Sequence, residues 1–474
     1  MKAVTARAWK SGRPFAAPML LLSLLLVACL ALGGSSRDDV WQLMLLYPIA
    51  SLALAAGLWT LRLHHIRRYR FAYLMALGVI AIPLLQLVPL PPALWHQLPG
   101  RELIEKADRL AGLDRAWRPL TMTPFETRGA LFALMVPLAV LVLGSQLDRR
   151  DLGERSLLLA LGLGLLSAAA GLLQILGPDD GPLYLYPVTN SGLAVGLFAN
   201  RNHQALLLLI LIPMLTVQFA RLSGRAVVQR SLLIMIGLLL LPMILITGSR
   251  MGLIGAVAAI MAIPLFTGRP SMRAFCSRPR RSSGRWLPGW SGVLLAIGLV
   301  AVTIWLNRAV AVNRLLEQDP ADQLRVTIVP ALRQMILHYF PFGSGVGSFE
   351  KVYFVNEPEL LLGSTYMNQA HDDWLQAVLA AGLPAVVMLL IAAGAFVVKA
   401  WRVLAREAAG TPGDLERLGL VVILLFGVAS AVDYPLRTPA MAALFVLAAL
   451  WSQGAGPSDE SAATPLLQRA VRKS

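Results

Sequence analysis

Residues 231–267 read SLLIMIGLLLLPMILITGSRMGLIGAVAAIMAIPLFT: two apolar runs parted only by Thr247-Gly248-Ser249-Arg250, with Arg250 the single charge between them. A helix needs about 20 apolar residues to cross some 30 Å of hydrocarbon. The stretch therefore predicts two spanning helices joined by a tight turn at one membrane face. Working outward, comparable runs lie near 19–34, 40–61, 71–90, 129–146, 156–176, 203–220, 291–307, 375–397, 418–432 and 438–452. With the opening pair they predict an all-α, polytopic integral membrane protein of about 12 transmembrane helices. Composition agrees, since 57% of the 474 residues are hydrophobic and only 14% charged. So few charges are too sparse to cover the surface of a soluble protein of this size.

The run at 19–34 follows Lys2, Arg7, Lys10 and Arg13, as the core of a signal peptide would. No small-residue cleavage site leading into a soluble domain follows it, so a retained first span is expected. Lys and Arg outnumber Asp and Glu by 42 to 26, a net charge of +16. The basic residues sit between the apolar runs rather than on one face. The connector 268–290 alone holds Arg269, Arg273, Arg278, Arg280, Arg281 and Arg285 with no acid. By the positive-inside rule that connector is cytoplasmic and, alternating from it, so are both termini. The basic excess is then a topology signal and an attraction to anionic membrane lipids, and calls for no nucleic acid. Cys29 lies in an apolar run and Cys276 in the Arg-rich connector, a pairing unlike a disulfide or a metal site.

The expected organisation is 1–307, about nine spans with short loops and a surface-lying helix near 91–128; 308–374, one large extracytoplasmic loop; 375–452, the last three spans; and 453–474, a cytoplasmic tail. In the large loop Leu324, Ile328, Leu332 and Met335 recur at helical spacing. The four short outer segments, 33–39, 177–202, 247–250 and 433–437, hold one arginine each.

As drawn, the spans hold no charged residue or histidine at mid-depth, which weakens an ion channel or a proton-coupled pump. Polar residues gather instead at outer helix mouths: Asn200-Arg201-Asn202-His203, Thr247-Gly248-Ser249-Arg250 and His371-Asp372-Asp373-Trp374. Each opens a helix whose positive macrodipole end points outward, so a cation there costs about 0.3–1 kcal/mol unless an anion is present. Helix N-termini with arginine forks describe a phosphate or diphosphate site, for Arg201 and Arg250. The alternative is that these arginines snorkel to lipid phosphates. His371 is the residue type that exchanges protons near neutral pH, and His203, Asp372 and Asp373 are supporting candidates. Asp372 or Asp373 is also a natural helix cap. As a metal site the His371 trio fails, because consecutive helical side chains diverge by about 100°. No metal or cofactor is expected. Arg325 heads the amphipathic stretch that leads to Gly343-Ser344-Gly345-Val346-Gly347. That glycine run lacks the spacing and preceding strand of a dinucleotide loop and reads as a flexible turn.

In this order these segments resemble the O-antigen ligase and polymerase family of bacterial envelope glycosyltransferases. The matching residues are Asn200 to His203, Thr247 to Arg250, Arg325 through Pro341-Phe342-Gly343 to Phe349, and His371 to Gln376 followed by Ala381-Gly382-Leu383. The resemblance implies a GT-C-like membrane enzyme. It would transfer a glycan from an undecaprenyl-diphosphate carrier to an acceptor hydroxyl outside the inner membrane, with lipid A-core or another glycan as acceptor. Arg201, Arg250 and Arg325 would hold the diphosphate in place of a metal, and His371 would serve the acceptor. Ligase and polymerase share this donor chemistry. A lipid-linked sugar flippase is the other class, and its mark would be charges deep in the spans.

Overall fold

The computed structural model describes residues 17–148, 150–222, 227–261, 320–359, 362, 367–408 and 413–453. Helices run in order as α1 (Ala17–Leu32), α2 (Leu43–Thr60), α3 (Leu63–Arg68), α4 (Arg70–Gln86), α5 (Pro92–Trp95), α6 (Glu102–Leu110), α7 (Pro124–Ala133), α8 (Met135–Ser145), α9 (Ser156–Leu176), α10 (Arg201–Arg221), α11 (Val227–Ile246) and α12 (Arg250–Met261). They continue as α13 (Pro320–Tyr339), α14 (Phe349–Asn356), α15 (Asp373–Ala381), α16 (Leu383–Ala408), α17 (Asp414–Ser430) and α18 (Pro439–Gln453). Every predicted span falls on a helix except 291–307, which with the end of 251–267 lies outside the described residues. Among the described residues, five segments are long and apolar enough to cross a membrane: Leu43–Thr60, Pro124–Ser145, Asp151–Leu176, Arg201–Arg221 and Leu383–Ala405. The architecture is that of an all-α, multi-pass membrane protein.

Two expectations change. The helix at 375–397 is broken: α15 ends at Gly382, whose φ of 59° is closed to a continuing helix, and the membrane helix begins at Leu383. His371, Asp372 and Asp373 therefore open a short helix ahead of the span rather than the span itself. The segment near 91–128 is more than one surface helix. Pro89–Leu90 (β1) pairs antiparallel with Arg118–Pro119 (β2), and Trp95 Nε1 donates to the Pro119 carbonyl at 3.0 Å. The two Arg118–Asp108 hydrogen bonds close this small unit around α6.

Helix packing explains which element is central. In hydrocarbon, apolar side chains gain nothing by leaving lipid for protein, so helices associate through close fit. The α10 window is 78% buried, whereas that of the span in α16 is 6% buried. Thus α10 is the axis of the bundle and α16 lies at its edge. Small residues make the crossings: a Cβ on Gly255 would stand 2.3 Å from Leu209 Cδ1, and one on Gly252 would stand 3.1 Å from Ala205 Cβ. These contacts advance together along both chains, so α10 and α12 run parallel with their N-termini at one end. A second core, away from the main bundle, joins Ile328, Leu332, Met335 and Tyr339 of α13 to Phe349, Val352 and Tyr353 of α14 and Leu379 of α15. The helical spacing in the large loop is thus real, and α13 continues through Pro330.

Candidate active site

The first turn of α10 is buried, not set in lipid. Arg201 is 8% exposed, and Asn202, His203 and Gln204 are less so. Asn200 caps the helix by accepting from the Asn202 N–H at 2.9 Å, and the Arg201 N–H donates to Asn190 Oδ1. Gln174 of α9 seats the preceding loop: its Nε2 donates to the Leu183 and Gly196 carbonyls, and its Oε1 accepts from the Val195 and Gly196 N–H groups. Burial on this scale removes the snorkelling alternative for Arg201. Gly248, at φ 64°, turns α11 into α12 beside it, since a Cβ there would stand 3.6 Å from Arg201 Nη1. Arg250 begins α12 exposed, at the same end of the bundle as Arg201.

His371 approaches from another direction. Its φ of 54° makes it the one non-glycine residue at positive φ among the described residues. Left-handed backbone disfavours a residue with a Cβ and persists where surrounding contacts over-determine it, commonly at functional sites. Here Gln376 closes the turn, with its Oε1 accepting from the Ala370 N–H at 2.8 Å and its Nε2 donating to Gln369 Oε1 at 2.6 Å. Asp372 is the cap of α15, accepting from the Leu375 N–H at 2.9 Å. That is a structural role, and the carboxylate turns toward the backbone. Partial burial raises its pKa, opposed by this backbone bond.

The glycine run expected as a flexible turn is a packed buckle. Ser344 N–H and Gly345 N–H donate to the Leu379 and Ala380 carbonyls at 2.9 Å, satisfying the end of α15, and Leu383 N–H donates to the Pro341 carbonyl at 2.8 Å, starting α16. Gly345 has φ 116°, and a Cβ on it would meet Thr121 Oγ1 at 1.9 Å. Gln86 of α4 grips both sides, donating to the Ala380 carbonyl and accepting from the Val346 N–H. Buried Arg101 donates to the Leu120 and Gly343 carbonyls at 2.6 and 3.2 Å, and burial brings its pKa down to about 10. The buckle fixes α15, and α15 fixes His371.

The sequence marks the turn between α17 and α18 as a short outer segment but offers none of its residues as a site candidate. Asp433 there is 1% exposed, and its Oδ1 stands 3.5 Å from His371 Nδ1. Its Oδ2 accepts from Asn202 Nδ2 at 2.5 Å and from Asn200 Nδ2 at 3.4 Å, while the Tyr434 N–H donates to Oδ1. One buried carboxylate thus joins His371 to the mouth of α10. Tyr434 lies between the two histidines, its ring centre 4.8 Å from that of His371 and 5.5 Å from that of His203. His203 is held from behind by Thr438 Oγ1 at 2.9 Å from Nδ1, so it supports Tyr434 and the turn.

Asp373 ties α15 to the same turn. It is 7% exposed, accepts from Ser430 Oγ and the Leu436 N–H at 3.2 and 3.3 Å, and pairs with Arg437 Nε at 3.2 Å. Burial pushes its carboxyl up to about 6, and Arg437 holds it from rising further. Arg437 was open to detection on the ground that singled out Arg201, as the one arginine of a short outer segment. Asp433 carried no such signal. Arg325 lies on α13, but its side chain is outside the described residues. Among those residues no three His, Cys, Asp or Glu groups converge as metal ligands.

The arrangement places a histidine against a buried carboxylate beside a buried arginine at a helix N-terminus. That combination can deprotonate a hydroxyl next to a bound anion. No curated protein matches the chain significantly. Residues 235–390, which contain α12, the buckle, His371 and Asp373, match the family model described as O-antigen ligase. Over that stretch the chain is similar to the O-antigen ligase family.

Proposed function

We propose that this protein is an O-antigen ligase-like glycosyltransferase acting at the periplasmic face of a bacterial inner membrane, with both termini cytoplasmic. It moves a glycan from undecaprenyl diphosphate to an acceptor hydroxyl, inverts the anomeric centre and uses no metal. The observation that carries this reading is Asp433, which touches His371 on one side and the Asn202 amide, next to Arg201, on the other.

In the proposed reaction the acceptor oxygen attacks the anomeric carbon opposite the diphosphate. The new C–O bond forms as the bond to the diphosphate breaks, and the electron pair leaves with undecaprenyl diphosphate. Arg201 and Arg250, at parallel helix N-termini, stabilise the charge that grows on the leaving group. The acceptor proton passes to His371 Nε2, because the Asp433 carboxylate beside Nδ1 favours the tautomer with its hydrogen there. Asp433 then stabilises the imidazolium, the role a buried carboxylate plays toward histidine in hydrolytic triads.

The acceptor divides the two enzymes that share this donor half. A ligase transfers the finished chain to lipid A-core or another terminal acceptor, whereas a polymerase transfers it to the next carrier-linked unit. Deletion in the native host followed by a gel of surface glycans separates them. Loss of every attached chain is expected for the ligase; attachment of single repeats instead would make the protein a polymerase.

A further inference from the structure

Helix α6 is built the opposite way from a helix on a soluble protein. Its inward face is polar: Asp108 is buried against Arg118, and Arg101 at its start is 1% exposed. Its outward face carries an apolar stripe. At about 100° per residue Leu103, Ala107 and Leu110 share one side of the helix, and Leu103 and Leu110 are 59% and 92% exposed. Leu113 and Trp117, beyond the helix, are exposed as well. Lys106 flanks the stripe, and Arg109 follows on the polar flank with Glu102.

The chain limits what can cover this surface. Immediately before the unit, α4 ends with Leu84 and Leu85 exposed and Val88 follows it exposed; immediately after the unit, α7 starts a spanning segment with Phe125 and Phe132 exposed. In a multi-pass protein those residues face acyl chains. The unit thus sits between a shorter apolar helix and a spanning segment, which hold it at headgroup depth with exposed apolar side chains on either side. A tryptophan and flanking cations on such a surface match the headgroup–acyl boundary.

We propose that Leu103, Ala107, Leu110, Leu113 and Trp117 form an anchor that lies in the lipid interface of the bilayer the chain spans. The anchor is joined to the candidate site, because Arg101 at the root of α6 donates to the Gly343 carbonyl of the buckle that fixes α15. The inference rests on the membrane reading of the chain and is independent of the transfer reaction.

The test uses the full chain with Cys276→Ser and an environment-sensitive NBD label at Leu110→Cys, Cys29 being buried in the bundle. Each nanodisc carries one copy. Glu102→Cys, on the polar flank, is the control. The Leu110 label should emit blue-shifted and be quenched several-fold more by lipid carrying a shallow acyl-chain nitroxide than by aqueous iodide, with the order reversed at Glu102. A label at Leu110 quenched by iodide as strongly as that at Glu102 overturns the anchor. So does protection that appears only when two copies share a disc, which would assign the stripe to a second copy of this chain.

Discussion

At the residue scale the decisive pair is His371 and Asp433. If the carboxylate orients and stabilises the imidazole, Asp433→Asn keeps the shape but loses the charge, and single-turnover transfer should fall about 10²-fold or more. His371→Ala should lower transfer about 10²–10⁴-fold, the usual worth of a positioned base, while donor binding changes little. Collapse of donor affinity in His371→Ala would move that residue to the diphosphate site. Arg437 gives a separate reading through pH. Burial raises the Asp373 carboxyl from 3.8 to about 6, so the folded state holds this proton more tightly than the unfolded chain. Its contribution to stability therefore falls as pH rises across that window. Activity runs the other way, because protonation removes the charge that pairs α15 with Arg437. In Arg437→Gln burial is opposed only by the Leu436 N–H and Ser430 hydrogen bonds, and the acid limb of transfer should move to higher pH; an unmoved limb would disconnect Asp373 from activity. His371 could be picked out from residue type and from its place after a loop. Asp433 could not, since only the fold carries the α17–α18 turn to α10.

At the element scale the break between α15 and α16 sets where His371 stands. A Cβ on Gly382 would meet the Pro341 carbonyl oxygen at 2.0 Å, and its φ is positive, so Gly382→Ala must either displace the buckle or straighten the helix. Strain of this kind costs on the order of 1–3 kcal/mol, and transfer should fall with the thermal midpoint in nanodiscs. A Cβ on Gly394, inside α16, would meet nothing within 4 Å. Gly394→Ala should be neutral or stabilise by about 0.5–1 kcal/mol through lower backbone entropy of the unfolded chain. Equal effects at the two glycines would deny the break its importance. The spans were legible because each is a continuous apolar run. The break was hidden for the same reason: apart from Gln376, Leu375 to Ala381 and the residues after Leu383 are apolar on both sides of one glycine. The buckle was hidden because hydrogen bonds to α15, α4 and Arg101, all distant in sequence, turn a flexible-looking run into a fixed one.

At the scale of the whole molecule, the question is what neutralises a diphosphate at the mouth of a helix bundle. The common device is a divalent cation held by carboxylates. Three carboxylates of the candidate site are otherwise engaged: Asp372 caps α15, Asp373 pairs with Arg437, and Asp433 faces His371 and two asparagine amides. Releasing any of them to a metal would undo the contact that positions His371. The parallel packing of α10 and α12 offers the alternative, two positive helix ends that each begin with an arginine. A guanidinium fork binds a diphosphate through paired N–H groups, which a lysine does not reproduce. Transfer by the purified chain should therefore survive EDTA, whereas Arg201→Lys and Arg250→Lys should each lower it although the charge is kept. The buried Arg201, enclosed by the α10 mouth and the Gly248 turn, should be the more sensitive of the two. Strict dependence on added Mg²⁺ together with full activity in both lysine variants would replace the arginine pair with a metal, and Asp372 or Asp373 would have to leave its present partner to hold it.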